Sequence, residues 1–224
     1  MIDEFFESLG LNNLEEKRLS LDMAMLAFAI FITGAVISYF LHPGYSIMND
    51  FISTLGTGQY GWVMNISFIS TGILLLPIFL ALYSILDDYT HDESRKFLTL
   101  GAVSGIISQI GLILVGIFVD HPGRDIHSFV AGVFFFALMF CIVFLTRMTH
   151  YLHPNTVFDR LDRKVIKFFG YGLAFLDFLM IFFNLILYSY NYDAFIQKIV
   201  VLASFFYLGY FISQIRSSYI QSQI

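Results

Sequence analysis

The segment "VDHPGRDIHSF" at residues 119–129 concentrates side chains that could carry out acid–base or metal chemistry. Two histidines, two aspartates and an arginine surround a Pro-Gly turn there, after a long apolar run. Asp125 can cap a helix that begins beside it, and the positive end of a helix dipole disfavours an imidazolium cation. His127 is therefore expected to be neutral, which is the form that a general base or a metal ligand requires.

Two kinds of site are open for this cluster. Imidazoles and carboxylates could form an oxygen and nitrogen shell for a divalent metal, which is the candidate cofactor; the predicted metal ligands are His42, His121 and His127. A nucleophile, a base and an orienting acid could act together instead; the predicted catalytic residues are His127, Asp120, His121, Asp50 and Ser53. The sequence has no HExxH, GxSxG or HxxxH spacing, so these residues could also be only a hydrogen-bonded plug.

Further polar side chains could bind a substrate; the predicted residues are Arg124, Asn65, Asp177 and Asn184. Arg124 could pair with a phosphate group. Asp177 and Asn184 are seven residues apart, so they would share one face of a helix. A carboxylate near the middle of a bilayer costs about 2.5–3.5 kcal/mol, so Asp177 should face inward and have a partner. These residues could line a polar path, or a protonated Asp177 could make an interhelical hydrogen bond.

The composition indicates that the solvent of this chain is lipid. Its 224 residues are 58% hydrophobic and only 13% charged, with a mean hydropathy of +0.75, whereas soluble domains carry about 25% charged residues. The net charge of −5 argues against a nucleic-acid partner, which requires clustered surplus Lys and Arg. Cys141 is the single cysteine, which excludes an intramolecular disulfide.

The elements that must position the polar residues are predicted to be membrane-spanning helices. Six stretches reach the length of about 20 apolar residues that a bilayer requires; they are 21–41, 61–86, 97–119, 127–146, 166–188 and 195–215. The alternating pattern of a membrane β-barrel does not occur in them. The predicted fold is therefore an all-α polytopic membrane protein, a six-helix transmembrane bundle with both termini cytoplasmic.

The distribution of Lys and Arg predicts that orientation. One side would carry Lys17, Arg18, Arg95, Lys96, Arg147, Arg160, Arg163, Lys164, Lys167 and Arg216, and the other only Arg124 and Lys198. Basic residues favour the cytoplasmic side, so both ends are expected there, in a multi-pass protein of the cell membrane. Residues 1–20 are predicted to be a cytoplasmic surface segment without the layout of a cleaved signal, 21–216 the membrane domain and 217–224 a cytoplasmic tail.

The connection between the first two spans is long enough to cover the outer end of the bundle. In it, Ser46 could cap a short helix and Gly56 could end it, so that Asp50 and Ser53 share a face. A proline follows His42 and another follows His121, and each is expected to end an outward-running helix. We therefore expect this connection to form a lid or a re-entrant turn over the outer end of the bundle.

Residues 48–79 and 111–136 resemble a family of uncharacterised prokaryotic membrane proteins, domain of unknown function 998. The matching residues are Ser53, Leu55 and Gly56, then Asn65 and Gly72, then Gly116, Phe118 and His127. Thr54 stands where the family often has Asp, which leaves Asp50 as the nearest acid. The family is distantly similar to the Frag/DRAM/Sfk membrane proteins, some of which act in lipid remodelling, and the resemblance thus implies a lipid-linked role.

The prediction is a membrane protein of lipid-associated function, and three hypotheses follow. It could modify a lipid or lipid-linked substrate at the outer leaflet through the His/Asp/Ser cluster. It could instead be a non-catalytic lipid-binding or assembly protein, or a small transporter that uses Asp177. Membrane lipids are the expected partners and nucleic acid is not; protein partners, oligomeric state and whether the chain is an enzyme are left open.

Overall fold

The computed structural model describes residues 14–87, 89–119, 125–151, 163–186 and 190–221. Within these ranges, the side chains of residues 14–18, 125, 183–186, 190–193 and 218–221 are not described. Every regular element in these ranges is helical, so the all-α prediction is confirmed. The helices are α1 (Leu14–Leu41), α2 (Trp62–Asp87), α3 (Asp92–Ile117), α4 (Asp125–Met148), α5 (Arg163–Ile186) and α6 (Tyr190–Gln221).

Each of the six helices contains a segment long and apolar enough to cross a membrane. The segments are Leu19–Leu41, Trp62–Asp87, Asp92–Ile117, Ile126–Met148, Arg163–Phe182 and Ala194–Ser217. They overlap the six predicted spans, because length and apolar content decide both. Residues 14–20, which the sequence assigned to a surface segment, form the first turns of α1, and residues 1–13 lie outside the described residues.

The helices form a ring in chain order. Each helix packs against the next one along the sequence, and α6 also packs against α1. Aromatic rings fill this last seam: Phe205 of α6 lies 5.2 Å from Phe28 and 4.5 Å from Phe31, between ring centroids. Residues 42–61, here called the lid, join α1 to α2 at one end of the ring, the lid end.

Glycines allow the central helices to approach closely. A Cβ atom on Gly111 of α3 would lie 2.9 Å from the Cα of Phe134 on α4, and one on Gly105 would lie 2.3 Å from the ring of Phe79 on α2. Gly101, in the same Gly-x-x-x-Gly sequence, packs against Leu145 of α4. Small residues at helix contacts are the usual means of close packing in membranes.

The outward surface of the ring is apolar. Phe40 and Phe168 are each 78% exposed and Phe206 is 73% exposed, which is unfavourable in water and favourable against lipid chains. Charge pairs lie at the end opposite the lid, where Arg216 Nε is 2.5 Å from Asp22 Oδ1. The chain is thus built as a membrane-spanning bundle.

Candidate functional site

The lid begins with a β-turn that ends α1. Tyr45 N donates to His42 O at 3.3 Å, and Gly44 has a φ of 84°. Proline at the second position and a glycine with positive φ at the third are the features of a type II turn. Since α1 ends at Leu41, Pro43 has the predicted role of a helix stop. The second His-Pro-Gly sequence, with His121, lies outside the described residues.

Asp50 closes the next turn of the lid. Ser46 N donates to Asp50 Oδ2 at 2.6 Å, and Asn49 N donates to Ser46 Oγ at 3.2 Å, so Ser46 stabilises a turn rather than the helix that it was predicted to cap. The turn does not continue as a helix, because Ile52 N donates to Gln197 Oε1 of α6 at 3.2 Å. A separate 3-10 helix, Ile52–Gly56, follows. The expected single helix with Asp50 and Ser53 on one face is therefore wrong.

Side chains of α2 and α6 hold the lid through its backbone. Asn65 Nδ2 donates to Gly56 O at 2.9 Å. Lys198 Nζ donates to Asp50 O and, at 3.1 Å, to Ala194 O. Gln197 and Lys198 were not predicted for the site. Their only signal is a pair of adjacent polar residues within the apolar sequence of α6.

Tyr45 completes the contact with α6. The Lys198 ammonium lies 5.4 Å from the centroid of the Tyr45 ring, a cation–π geometry. Burial raises the pKa of Tyr45, and the charge of Asp50 raises it further. The phenol is therefore neutral and donates its proton to Asp50 O at 3.3 Å.

His42 is partly buried at the start of the lid. Thr57 Oγ1 donates to Thr54 O at 2.8 Å and is 3.3 Å from His42 Nε2. Because the hydroxyl proton is used in the first bond, the hydroxyl oxygen accepts from an Nε2–H group. His42 Nδ1 then carries the lone pair, and it is buried without a hydrogen-bond partner in the described part of the chain.

His127 is held through its other ring nitrogen, Nδ1. It lies in the first turn of α4 and is 6% exposed, with Nδ1 2.5 Å from Phe118 O. A carbonyl can only accept, so Nδ1 carries a proton. In the neutral form predicted from the helix start, Nε2 carries the lone pair, which is the arrangement of a metal ligand or base whose other nitrogen is anchored.

Ser53 borders a small cavity beneath the lid. The cavity measures about 20 Å³ and lies between the lid and helices α1, α2, α3, α4 and α6, with room for about one water molecule. Its walls are mainly aromatic and aliphatic, including Phe31, Phe68, Phe134 and Phe135; Ser53 and Gln197 are its polar side chains. Ser53 is 9% exposed, and its hydroxyl has no hydrogen bond to the described residues.

Only some residues of the predicted cluster are among those that the structure describes. Within the described residues no group of three His, Cys, Asp or Glu side chains is placed to hold a metal. The predicted set, however, needs His121, which lies outside them together with Asp120 and Arg124. Asn184 is on α5, but its side chain also lies outside the described residues. The metal, catalytic and substrate-binding roles therefore stay predictions.

The residues that carry the family resemblance form the framework of the lid end. A Cβ atom on Gly56 would lie 2.2 Å from Asn65 Oδ1, and one on Gly116 would lie 2.7 Å from Asn65 O. A Cβ atom on Gly72 would lie 2.9 Å from Gln109 O. The glycines thus permit backbone contacts between α2, α3 and the lid.

Asp177 lies apart from this framework, on the buried face of α5. Leu173, Ala174, Asp177, Met180 and Ile181 form one buried stripe, and Asp177 has an exposed fraction of 0%. Neither of its carboxylate oxygens has a hydrogen-bond partner in the described part of the chain. It faces inward, as predicted, but without the expected partner.

Comparison with known proteins gives a family and no activity. No curated protein and no solved structure matches the chain. The family described as "Protein of unknown function (DUF998)" matches residues 25–212, which include all of the lid and most of the six-helix bundle. The lid framework and the bundle thus lie within the matched region, and the chain belongs to this family of proteins of unknown function.

Proposed function

We propose that the protein binds a membrane lipid or a lipid-linked molecule beneath its lid, in the outer leaflet of the cell membrane. The orientation is supported by charge: of the twelve lysines and arginines, only Arg124 and Lys198 belong to the lid side of the sequence. Because basic residues favour the cytoplasmic side, the lid end would face outward and both termini would be cytoplasmic.

The covered cavity is the observation that carries this proposal. Binding sites for small molecules are mostly apolar, with a few polar groups that orient the ligand. The cavity has this character, since Ser53 and Gln197 are its polar side chains among aromatic and aliphatic walls. Its volume of about 20 Å³ is too small for a lipid, so the described conformation is the closed one and a ligand would enter when the lid moves.

The ties between lid and α6 are weak enough for such movement. A neutral hydrogen bond contributes about 0.5–1.5 kcal/mol, and one to a charged group about 1.5–3 kcal/mol. The Gln197 and Lys198 bonds to the lid together would therefore resist opening by about 2–4 kcal/mol. Minor states a few kcal/mol above the ground state are populated at about 0.1–10%, so a state in which the lid has left α6 but is still held on α2 by Asn65 would be populated.

Two further points favour lipid as the ligand. The faces around the ring are lined by exposed apolar side chains, so lipid is the solvent that reaches the seam of α1 and α6. The predicted similarity of the family to the Frag/DRAM/Sfk proteins points to the same ligand class.

Photo-crosslinking tests lipid binding. The purified protein would be placed in vesicles that contain a phospholipid with a photoactivatable group close to its head group, and labelled peptides would be mapped. We expect labelling of the lid and of the cavity wall on α6. Ala131→Leu fills the cavity from α4 and should abolish that labelling, whereas Ala29→Leu, on the exposed face of α1, should not. Equal labelling in both variants would refute the proposal.

Modification of the lipid is a second candidate, favoured by the tautomer of His127. Its Nδ1 is anchored on Phe118 O, which leaves Nε2 as a base, and the Ser53 hydroxyl on the cavity wall is the described nucleophile. No hydrogen bond joins Ser53, Asp50 and His127 among the described residues, and Asp50 is engaged by Ser46 N. A serine-based mechanism would therefore require the lid to move toward α4.

Turnover of labelled lipids in vesicles separates this candidate from simple binding. In His127→Asn the amide can still donate to Phe118 O, while the base is lost, so turnover should fall by about 10²–10⁴-fold. His150→Asn changes a histidine at the opposite end of the bundle and should leave turnover unchanged. If the unmodified protein converts no lipid, or His127→Asn is fully active, modification is refuted and lipid binding is not.

A further inference from the structure

Asp177 is a buried acid that the proposed lipid site does not use. Its side chain is completely buried, and no described group donates to or accepts from its carboxyl oxygens. An isolated carboxylate in an apolar interior is costly, and proteins avoid the cost by keeping the acid neutral. The neutral acid still has an O–H donor and a carbonyl acceptor, so this position is suited to take up and release a proton.

The position of Asp177 follows from a contact two helical turns away. A Cβ atom on Gly170 of α5 would lie 2.1 Å from Thr146 Oγ1 of α4, and Thr146 shares a hydrogen bond of 2.7 Å with the Tyr207 hydroxyl of α6. Asp177 is seven residues beyond Gly170, which is about 10 Å further toward the lid end on the same face. It therefore lies between this hydroxyl pair and the lid-end cavity.

The buried face of α6 carries polar groups through the same interval. Ser204 is completely buried and its hydroxyl has no hydrogen-bond partner in the described part of the chain. It lies one turn from Tyr207 toward the lid end, and Gln197 of the cavity wall lies two turns beyond it on the same face. Val200 and Val201, both buried, separate these two residues on that face, so Ser204 is the polar side chain of that face between Gln197 and Tyr207.

We propose that Asp177 is a proton-binding site inside the membrane-spanning bundle, reached from the lid-end cavity past Ser204. A hydronium ion from the cavity gives its proton to a carboxylate oxygen, so that a neutral acid and a neutral water molecule result. Release is the reverse transfer.

The surroundings favour a proton over a metal cation. Among the residues whose side chains are described, the buried ionisable groups of the two packing helices are His127 and Cys141 of α4 and Tyr207 of α6, and Lys198 of α6 is partly buried. None of these described groups is a second carboxylate. Hard cations require about six oxygen ligands in place of their water. One carboxylate and one hydroxyl cannot supply them, whereas a proton needs a single oxygen.

Labelling with a hydrophobic carbodiimide tests the proposal, because this reagent reacts with protonated carboxylic acids. The protein in phospholipid vesicles would be treated with dicyclohexylcarbodiimide over a range of pH, and adducts located by peptide mass spectrometry. We expect an adduct on Asp177 whose rate of formation falls as pH rises. Asp177→Asn should give none, and Asp22→Asn, which changes an exposed acid, should leave the adduct on Asp177.

Two further measurements test whether the proton reaches Asp177 past Ser204 and whether the site binds a proton rather than a metal cation. In Ser204→Ala one polar side chain between the cavity and Asp177 is removed, so the labelling rate should change more slowly after a jump in pH. Sodium ions at constant pH should have no effect on the rate. Labelling that is independent of pH, that needs detergent unfolding, or that sodium ions suppress would overturn the proton site. Infrared absorption of a protonated carboxyl in the unmodified protein provides a check that does not depend on any variant folding; absence of that band at neutral pH would also overturn it.

Discussion

The hydrogen bond from Asn65 to the lid yields the most direct prediction. Asn65 Nδ2 donates to Gly56 O at 2.9 Å, and Gly56 is buried. We predict that Asn65→Ala lowers the free energy of unfolding by about 2 kcal/mol, because the carbonyl of the buried residue Gly56 is left without its donor.

The magnitude follows from the burial of the two partners. A hydrogen bond contributes about 0.5–1.5 kcal/mol net, and a buried acceptor left without a donor costs about 1–3 kcal/mol. Asn65 is only partly buried, so lost packing adds little and the middle of the second range applies. Such a change alters the ratio of folded to unfolded protein by about 30-fold.

Two assays are needed, one for the stability of the whole protein and one for the opening of the lid. Titration of detergent-solubilised protein with dodecyl sulfate, followed by circular dichroism, would measure stability, and the rate of proteolysis within residues 42–61 would measure lid opening. Asn49→Ala is the matched control, since Asn49 is exposed on the lid and uses only its backbone N–H. If both variants match the unmodified protein in stability and cleavage rate, the Asn65 amide does not hold the lid.

Three further substitutions or modifications have outcomes that the structure fixes. Gly116→Ala should lower the free energy of unfolding by about 1–3 kcal/mol, because the added Cβ would lie 2.7 Å from a backbone carbonyl of α2. Gly132→Ala on α4 has open space around the added Cβ and should be neutral or stabilise by up to about 1 kcal/mol. Equal effects of the two substitutions in thermal unfolding would contradict the close approach of α2 and α3. Arg216→Ala should lower the free energy of unfolding by less than about 1 kcal/mol, because both partners of its ion pair with Asp22 are more than one-third exposed. The loss should vanish in high salt, and a large loss of stability that salt does not change would show a different role for Arg216. Cys141 is completely buried, so a maleimide should label it only after unfolding, and rapid labelling of the folded protein would show that α4 is more open than described.

The spans and the ends of the lid could be predicted because they depend on local chemistry. The apolar runs are long enough to be membrane helices wherever they pack, and Pro43 ends α1 for reasons within its own backbone. The hydrogen bonds of Ser46 are local too, since its partners are within four residues, but they close a turn and not the predicted helix.

The contacts that hold the lid depend on which helices are neighbours, and no local pattern specifies that. Gln197 and Lys198 meet residues almost 150 positions earlier, an encounter that exists only because α6 closes the ring beside α1. The acceptor of His127 is a backbone carbonyl, which any residue could provide. Residue types could therefore not indicate the anchor of His127.

The closure of the ring also has a consequence for biosynthesis. Helices α1 to α5 can pair in the order in which they are made, because each packs against the next one. The lid is made immediately after α1, yet two of its anchors, Gln197 and Lys198, belong to α6. During insertion, the lid can therefore make its contacts with α1 and α2 first, and it gains its contacts with α6 only when α6 enters the membrane. One of the first segments to be synthesised is thus one of the last to become fixed.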